Sequence, residues 1–238
     1  KKEAVKLAGR VMSVRQHGGS IFADVYDGTE RVQIFLSKSD IGDGPFDLFA
    51  SAIDVGDFVE GTGVPFITKR ETRAVALSAW RILSKSLRDL PSEWYGLKDE
   101  DERYRRRYLD ILLNEKTRDI VYKRAQFWKT IRQFLEARHF IEVETPILEN
   151  TTGGADARPF VTHHNALDID VYLRISAGEL WQKKLMVAGI PRTYEIGRIF
   201  RNEGIDSEHL QDYSQMEMYW AYQDYEGLMS FVEKLVKQ

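Results

Sequence analysis

The chain has 238 residues, 43% of them apolar and 30% charged, with a formal net charge of -3. That balance fits a globular protein of two domains with substantial cores, and its slight acidity argues against a nonspecific nucleic-acid binder, which would normally be basic. Without cysteine there are no disulfides or thiolate metal sites, no run reaches the ~18 apolar residues of a membrane span, and with no apolar signal core the cytoplasm is the default compartment.

Residues 4 to about 86 read as short strands. Leu7, Gly9, Val11 and Ser13 alternate against Lys6, Arg10 and Met12. Ile21, Ala23 and Val25 alternate against Phe22, Asp24 and Tyr26, and Asp27-Gly28 supplies a tight turn. Val32, Ile34 and Leu36 form one face of the return strand, with Arg31, Gln33 and Phe35 on the other. A helix is expected around Phe46–Ile53, then strands near Phe58–Phe66 and Ala74–Leu83. Five strands with a helix between the third and fourth are the order of an oligonucleotide-binding (OB-fold) β-barrel, here 1–86.

A linker over 87–110 is marked by Pro91, and its run Asp99-Glu100-Asp101-Glu102-Arg103 reads as a solvated helix face. Ile120, Phe127, Trp128, Ile131, Phe134 and Leu135 give one apolar stripe on a helix over Glu115–Arg138. Beyond it come an extended segment ending at Pro146, glycines at 153 and 154, and a strand near Val171–Ile175. A helix over Glu179–Ala188 stops at Gly189 with Pro191 behind it, and a last helix begins near Tyr225. Residues 111–238 thus read as a second, α+β domain, and no alternating βαβ pattern is present.

Between those last helices lie two strands whose residues sort by face. Glu195, Gly197, Arg201 and Glu203 share one side of the first, and Tyr213, Gln215, Glu217 and Tyr219 one side of the second. Met216, Met218 and Trp220 take the opposite, apolar side. So polar a face is either a solvated hairpin with surface ion pairs or the floor of a site for a ligand carrying both charges. No phosphate-loop or GxGxxG string is present, so a nucleotide would have to lie on the sheet. Adjacent His163 and His164 point opposite ways and lack metal-ligand spacing, which suits a structural role.

Phe200-Arg201-Asn202-Glu203, then His209, then Tyr213-Ser214-Gln215-Met216-Glu217, resembles the second signature motif of class II aminoacyl-tRNA synthetases. Arg138 through Leu148, with its Pro146, resembles the first. Thr152-Gly153-Gly154-Ala155-Asp156-Ala157-Arg158-Pro159-Phe160, Thr162 through Asp168, and Arg103 through Asp110 are similar to the lysyl-tRNA synthetase family. The resemblance runs from residue 4 to the end. It implies a barrel that reads the anticodon, followed by part of an antiparallel-sheet catalytic domain, and ligation of lysine to a lysine tRNA with ATP.

The resemblance also assigns roles. Arg201 bridges the substrate carboxylate and the α-phosphate, as the catalytic residue, because a guanidinium can hold two anions. Glu203 accepts from the adenine amino group, His209 reaches the outer phosphates, and Tyr213 stacks on adenine. For lysine, Glu217 lies near the α-amino group, Tyr219 and Glu179 near the ε-ammonium, and Gly154 offers a backbone contact. One residue more than the family pattern stands before Glu179, in Ser176-Ala177-Gly178. Phe22 and Gln33 match anticodon-reading positions, one for stacking and one for a base edge, while Glu71-Thr72-Arg73-Ala74 departs from the pattern.

The family's third motif and its acidic magnesium ligands do not occur before Gln238. The expectation is therefore an incomplete portion that is weakly active or inactive alone, with Mg2+ ligands beyond this chain and none within it. A homodimer through the first motif is expected of the whole protein. The alternatives are a noncatalytic tRNA-binding module and an aspartyl- or asparaginyl-type synthetase, whose aspartate would want a cation rather than glutamates around it.

Overall fold

The computed structural model describes residues 3–68, 71–91 and 97–238. Ser92–Gly96, within the expected linker, lie outside the described residues. By internal packing the chain divides into two compact units, Lys1–Arg118 and Asp119–Gln238.

The first unit opens with β1 (Val5–His17), β2 (Ser20–Tyr26) and β3 (Arg31–Ser37). Two helices follow, α1 (Lys38–Ile41) and α2 (Asp43–Ala52), then β4 (Phe58–Ile67) and β5 (Arg73–Ser84). The strands close in the order β1-β2-β3-β5-β4, with β3 and β5 parallel and the other pairs antiparallel. Ile21, Ala23, Val25, Ile34 and Leu36 are all completely buried in its interior, where Phe46 and Phe49 of α2 join them. Met12 departs from the simple alternation. A register shift between Val11 and Ser13 is a β-bulge, which turns two successive side chains inward, so Val11 and Met12 are both buried.

After the barrel come α3 (Glu100–Arg105) and α4 (Arg107–Leu113). Asp99 caps α3 by accepting from the Glu102 N–H at 2.9 Å, and Asp101–Arg105 and Glu102–Arg106 pair along its outside. The solvated-face reading covers only part of the run. Arg103 turns to the buried Asp110, which also takes Arg107 and the Thr117 hydroxyl. Burial alone would raise the Asp110 carboxyl, but Arg103 and Thr117 outweigh it and hold it below the usual carboxylate range.

Helix α5 (Glu115–Glu136) leads into β6 (Ile141–Glu142), β7 (Leu148–Glu149), β8 (Val161–His164) and β9 (Ile169–Leu173). Then follow α6 (Glu179–Val187), β10 (Arg192–Phe200), β11 (Asp212–Trp220) and α7 (Tyr225–Val236). The second unit holds two three-stranded sheets, β11-β10-β6 and β7-β9-β8. The expectation of an antiparallel sheet needs correction, because β6 runs parallel to β10. The connection between them, through β7–β9 and α6, is long enough to permit a parallel return.

One face of β10 and β11 is closed. Tyr194, Ile196, Met216, Met218 and Trp220 pack beneath Ile131, Phe134 and Leu135 of α5 and Phe231 of α7. Ring contacts between 5.1 and 5.6 Å tie Phe134, Phe140, Trp220 and Phe231 together. The apolar stripe of α5 is buried only at its C-terminal end. Ile120 and Phe127 remain 63% and 57% exposed.

Candidate functional site

The other face of β10 and β11 carries the polar residues. Cross-strand register pairs Thr193 with Tyr219, Glu195 with Glu217, Gly197 with Gln215 and Ile199 with Tyr213, and in an antiparallel pair such partners share a face. The ladder ends at Phe200 opposite Asp212. Arg201 keeps one more backbone bond, to Gln211 at 2.8 Å, while Glu203 lies in the exposed loop beyond rather than on the strand.

Glu195 is not open to a ligand. Arg174, just after β9, forms an ion pair with it, and both side chains are almost fully buried. The Arg174 Nε donates to the Arg198 carbonyl at 2.9 Å, and its Nη1 also reaches the Thr145 hydroxyl at 3.2 Å. The Thr145 hydroxyl donates to the other Glu195 oxygen at 2.6 Å. Gly197 makes room for the pair, since a Cβ there would overlap the Arg174 guanidinium.

Residues 176–178 knit this floor to its surroundings. The Ser176 hydroxyl donates to the Gly153 carbonyl at 2.9 Å, and the Ala177 N–H donates to Glu217 Oε1 at 2.9 Å. Gly178 sits at φ 73° against Thr145 and Glu195, a conformation that favours glycine. Gly154, at φ 88°, leaves no room for a Cβ between Ser176 and Glu179. Glu179 opens α6 and pairs with Lys183 one turn on. Glu217 Oε1 accepts from Gln215 as well, which leaves Oε2 without a partner among the described residues. Tyr219 is pushed up to about 12, first by burial and then by the nearby Glu179 and Glu217. Gly154, Glu179, Glu217 and Tyr219 therefore gather at one end of the sheet.

Arg201, Glu203, His209 and Tyr213 line a cleft of about 650 Å³ at the other end. The Arg201 guanidinium stands 5.7 Å from the centre of the Tyr213 ring. Its Nε is buried without a partner, and no carboxylate among the described residues pairs with it. An unanswered buried donor on a cation is costly unless an anion arrives. His209 is held by Asp206, which accepts from Nδ1 at 2.7 Å and from the His209 N–H at 2.7 Å. Backbone N–H groups, that of Glu208 foremost, together with His209 keep the Asp206 carboxyl below its usual range. Among the described residues, no group of three or more His, Asp or Glu could hold a metal ion. His163 contacts Asp168 and Asp170 at the surface.

On the barrel, Phe22 and Gln33 line a separate cleft of about 590 Å³ with Phe35 and Phe66. The rings form a row, Phe22 to Phe35 at 4.8 Å and Phe35 to Phe66 at 5.7 Å between centres. Gln33 rests on Asp24 at 3.3 Å. Thr72, from the segment that departs from the family pattern, is also in this lining.

Sequence reading missed Arg174, Asp206 and Gln182. The available signals were a charge ending an apolar strand at 174 and a carboxylate three residues before His209. For Gln182 there is an amide on a helix position that packing makes completely buried.

The barrel thus carries an aromatic-lined cleft, and the second unit carries a polar sheet face beside an arginine whose buried Nε has no partner. Residues 99–238 match the class II tRNA synthetases of the D, K and N type, and residues 5–83 the OB-fold nucleic acid binding domain. The chain belongs to the class II tRNA synthetase family. It is 47% identical to the lysine–tRNA ligase of Thermoanaerobacter pseudethanolicus over 233 residues, 98% of this chain and 46% of that protein. The lysine–tRNA ligase of Clostridium tetani is 47% identical over 232 residues, with the same shares. That of Moorella thermoacetica is 46% identical over 234 residues, 98% of this chain and 47% of its own length. The chain thus spans a little under half the length of these relatives. Among the described residues no helix is long and apolar enough to cross a membrane.

Arg174→Leu leaves the Glu195 carboxylate buried without its cation. It is expected to cost roughly 3–5 kcal/mol of stability, read by urea unfolding. A loss below about 1 kcal/mol, the range of exposed pairs, would show that water reaches Glu195.

Proposed function

We propose that this chain is the anticodon-binding and first catalytic portion of a lysine–tRNA ligase that works in the cytoplasm. On this reading 1–86 is the anticodon domain, 87–110 the linker and 111–238 the beginning of the catalytic domain. The observation that carries it is one sheet face with carboxylates at one end and an unpaired arginine at the cleft beside them. Lysine has the matching charges. Its α-ammonium meets the open Oε2 of Glu217, its ε-ammonium lies toward Glu179 and the Tyr219 hydroxyl, and its carboxylate points along the strands to Arg201.

ATP occupies the cleft, with adenine against the Tyr213 ring, its amino group at Glu203 and the outer phosphates toward His209. An oxygen of the lysine carboxylate attacks the α-phosphorus, the bond to the bridging oxygen breaks, and pyrophosphate leaves. No side chain has to act as a base, since the attacking group is already an anion. Arg201 offsets the repulsion of two anions brought together and stabilises the charge that builds in the transition state. Magnesium commonly assists such transfers by neutralising phosphate charge, but the described residues offer it no ligand set.

The test is pyrophosphate exchange by the whole protein that contains this chain, across a panel of amino acids. Lysine is expected to drive exchange, and Arg201→Ala to lower it by about 10²–10³-fold. Exchange driven by aspartate or asparagine, with none from lysine, would overturn the assignment.

The barrel is proposed to bind the anticodon of a lysine tRNA, with Phe22 stacking on one base and Gln33 bonding a base edge. Phe22→Ala should weaken binding of a lysine-tRNA anticodon stem-loop by roughly 1–3 kcal/mol. Unchanged affinity in the folded variant would return Phe22 to an ordinary surface aromatic.

The whole protein is further proposed to be a homodimer. The exposed Ile120 and Phe127, seven residues apart and so on one side of α5, offer apolar surface that a two-fold partner would cover with its own copy. Analytical ultracentrifugation should find a dimer at micromolar concentration, and a monomer under those conditions would reject the proposal.

A further inference from the structure

We propose that Gln182 is a positioning residue that sets Glu217 to receive the α-ammonium of the amino acid, acting through the backbone of Ala177. The inference rests on the lysine reading above. Gln182 is completely buried on α6. An amide in such a position is destabilising unless its polar atoms are answered. Its Nε2 donates to the Ala177 carbonyl at 2.8 Å, and its Oε1 accepts from the Thr193 hydroxyl at 2.9 Å. Thr193 is itself fully buried on β10. The relay therefore runs from β10 through α6 to the loop that closes the site.

Ala177 is the point at which the relay reaches the ligand floor. Its carbonyl is held by Gln182 and its N–H donates to Glu217 Oε1. With Gln215 on that same oxygen, Oε1 is fully engaged and Oε2 is the atom turned free. A buried peptide group brings a donor and an acceptor that need partners, and here Glu217 takes the donor while Gln182 answers the acceptor. Without the glutamine amide, the Ala177 carbonyl is left orphaned, the 176–178 loop turns to find another partner, and its N–H leaves Glu217.

The loss should be specific to one group of the substrate. The experiment uses the whole protein with Gln182→Leu and, separately, Thr193→Val, and compares lysine with 6-aminohexanoate, which is lysine without its α-amino group. The KM for lysine is expected to rise about tenfold, the effect of one lost hydrogen bond to a charged group. The KM for ATP and the inhibition constant of 6-aminohexanoate should stay within about twofold, because neither uses Glu217. Equal losses for lysine and 6-aminohexanoate would show a general packing role and overturn the proposal, as would an unchanged KM for lysine.

Should Gln182→Leu fail to fold, Thr193→Val decides, since it removes only the hydroxyl that holds Gln182. Thr193→Ser should then recover most of what Thr193→Val loses. A wild-type protein that activates a different amino acid sinks the substrate reading alone. Gln182 then stands or falls on the same comparison between that amino acid and its counterpart without the α-amino group.

Discussion

Arg174 and Glu195 meet in near-complete burial, and the open face of the sheet is organised around them. A charge pair so far from water persists only where geometry and further hydrogen bonds offset desolvation. Here Thr145 and the Arg198 carbonyl supply those bonds. Gly197 and Gly178 leave the space, because a side chain at either position would strike the pair or its partner Thr145. The pair thus joins β9, β10 and the segment before β7 at one point, and the loop carrying Ala177 lies directly on it.

That junction divides the labour of the two strands. Their apolar side is packed under α5 and α7 and supplies cohesion. Their polar side, braced by the buried pair, can then hold Glu217, Tyr219 and Arg201 in fixed directions. On the lysine reading, preorganised charge of this kind is the main resource, since the proposed chemistry takes no nucleophile from the protein. Raised titration at Tyr219, caused by burial and two carboxylates, keeps its hydroxyl a neutral donor or acceptor at any physiological pH.

Much of the frame was legible in the sequence because it rests on local periodicity. Ile21, Ala23 and Val25 alternate and are buried together, and Met216, Met218 and Trp220 alternate on β11 and pack, partly buried, against the second core. Met12 was not legible, since a bulge breaks the period it would have to obey. Ile120 and Phe127 show a different gap: helical spacing marks an apolar face but does not say what covers it. At the site, residue types along β11 were enough to gather Glu217 and Tyr219. Glu203 was read onto a strand that stops at Phe200, because alternation has no term for where hydrogen bonding ends. The Arg174–Glu195 pair spans two strands far apart in sequence, and only packing reveals which charges neutralise each other.

The contact of Lys183 with Glu179 on α6 changes the thermodynamics of what that carboxylate can recognise. On the lysine reading, an incoming side chain does not meet a bare anion; it competes with, or is added to, a tethered amine of the same chemistry. Exchange of one ammonium for another is nearly isoenthalpic, so the encounter contributes little net affinity. A neutral side chain entering the same space has nothing to trade and leaves the Lys183 pair in place. On that reading the tethered amine is the state against which an incoming cation is weighed.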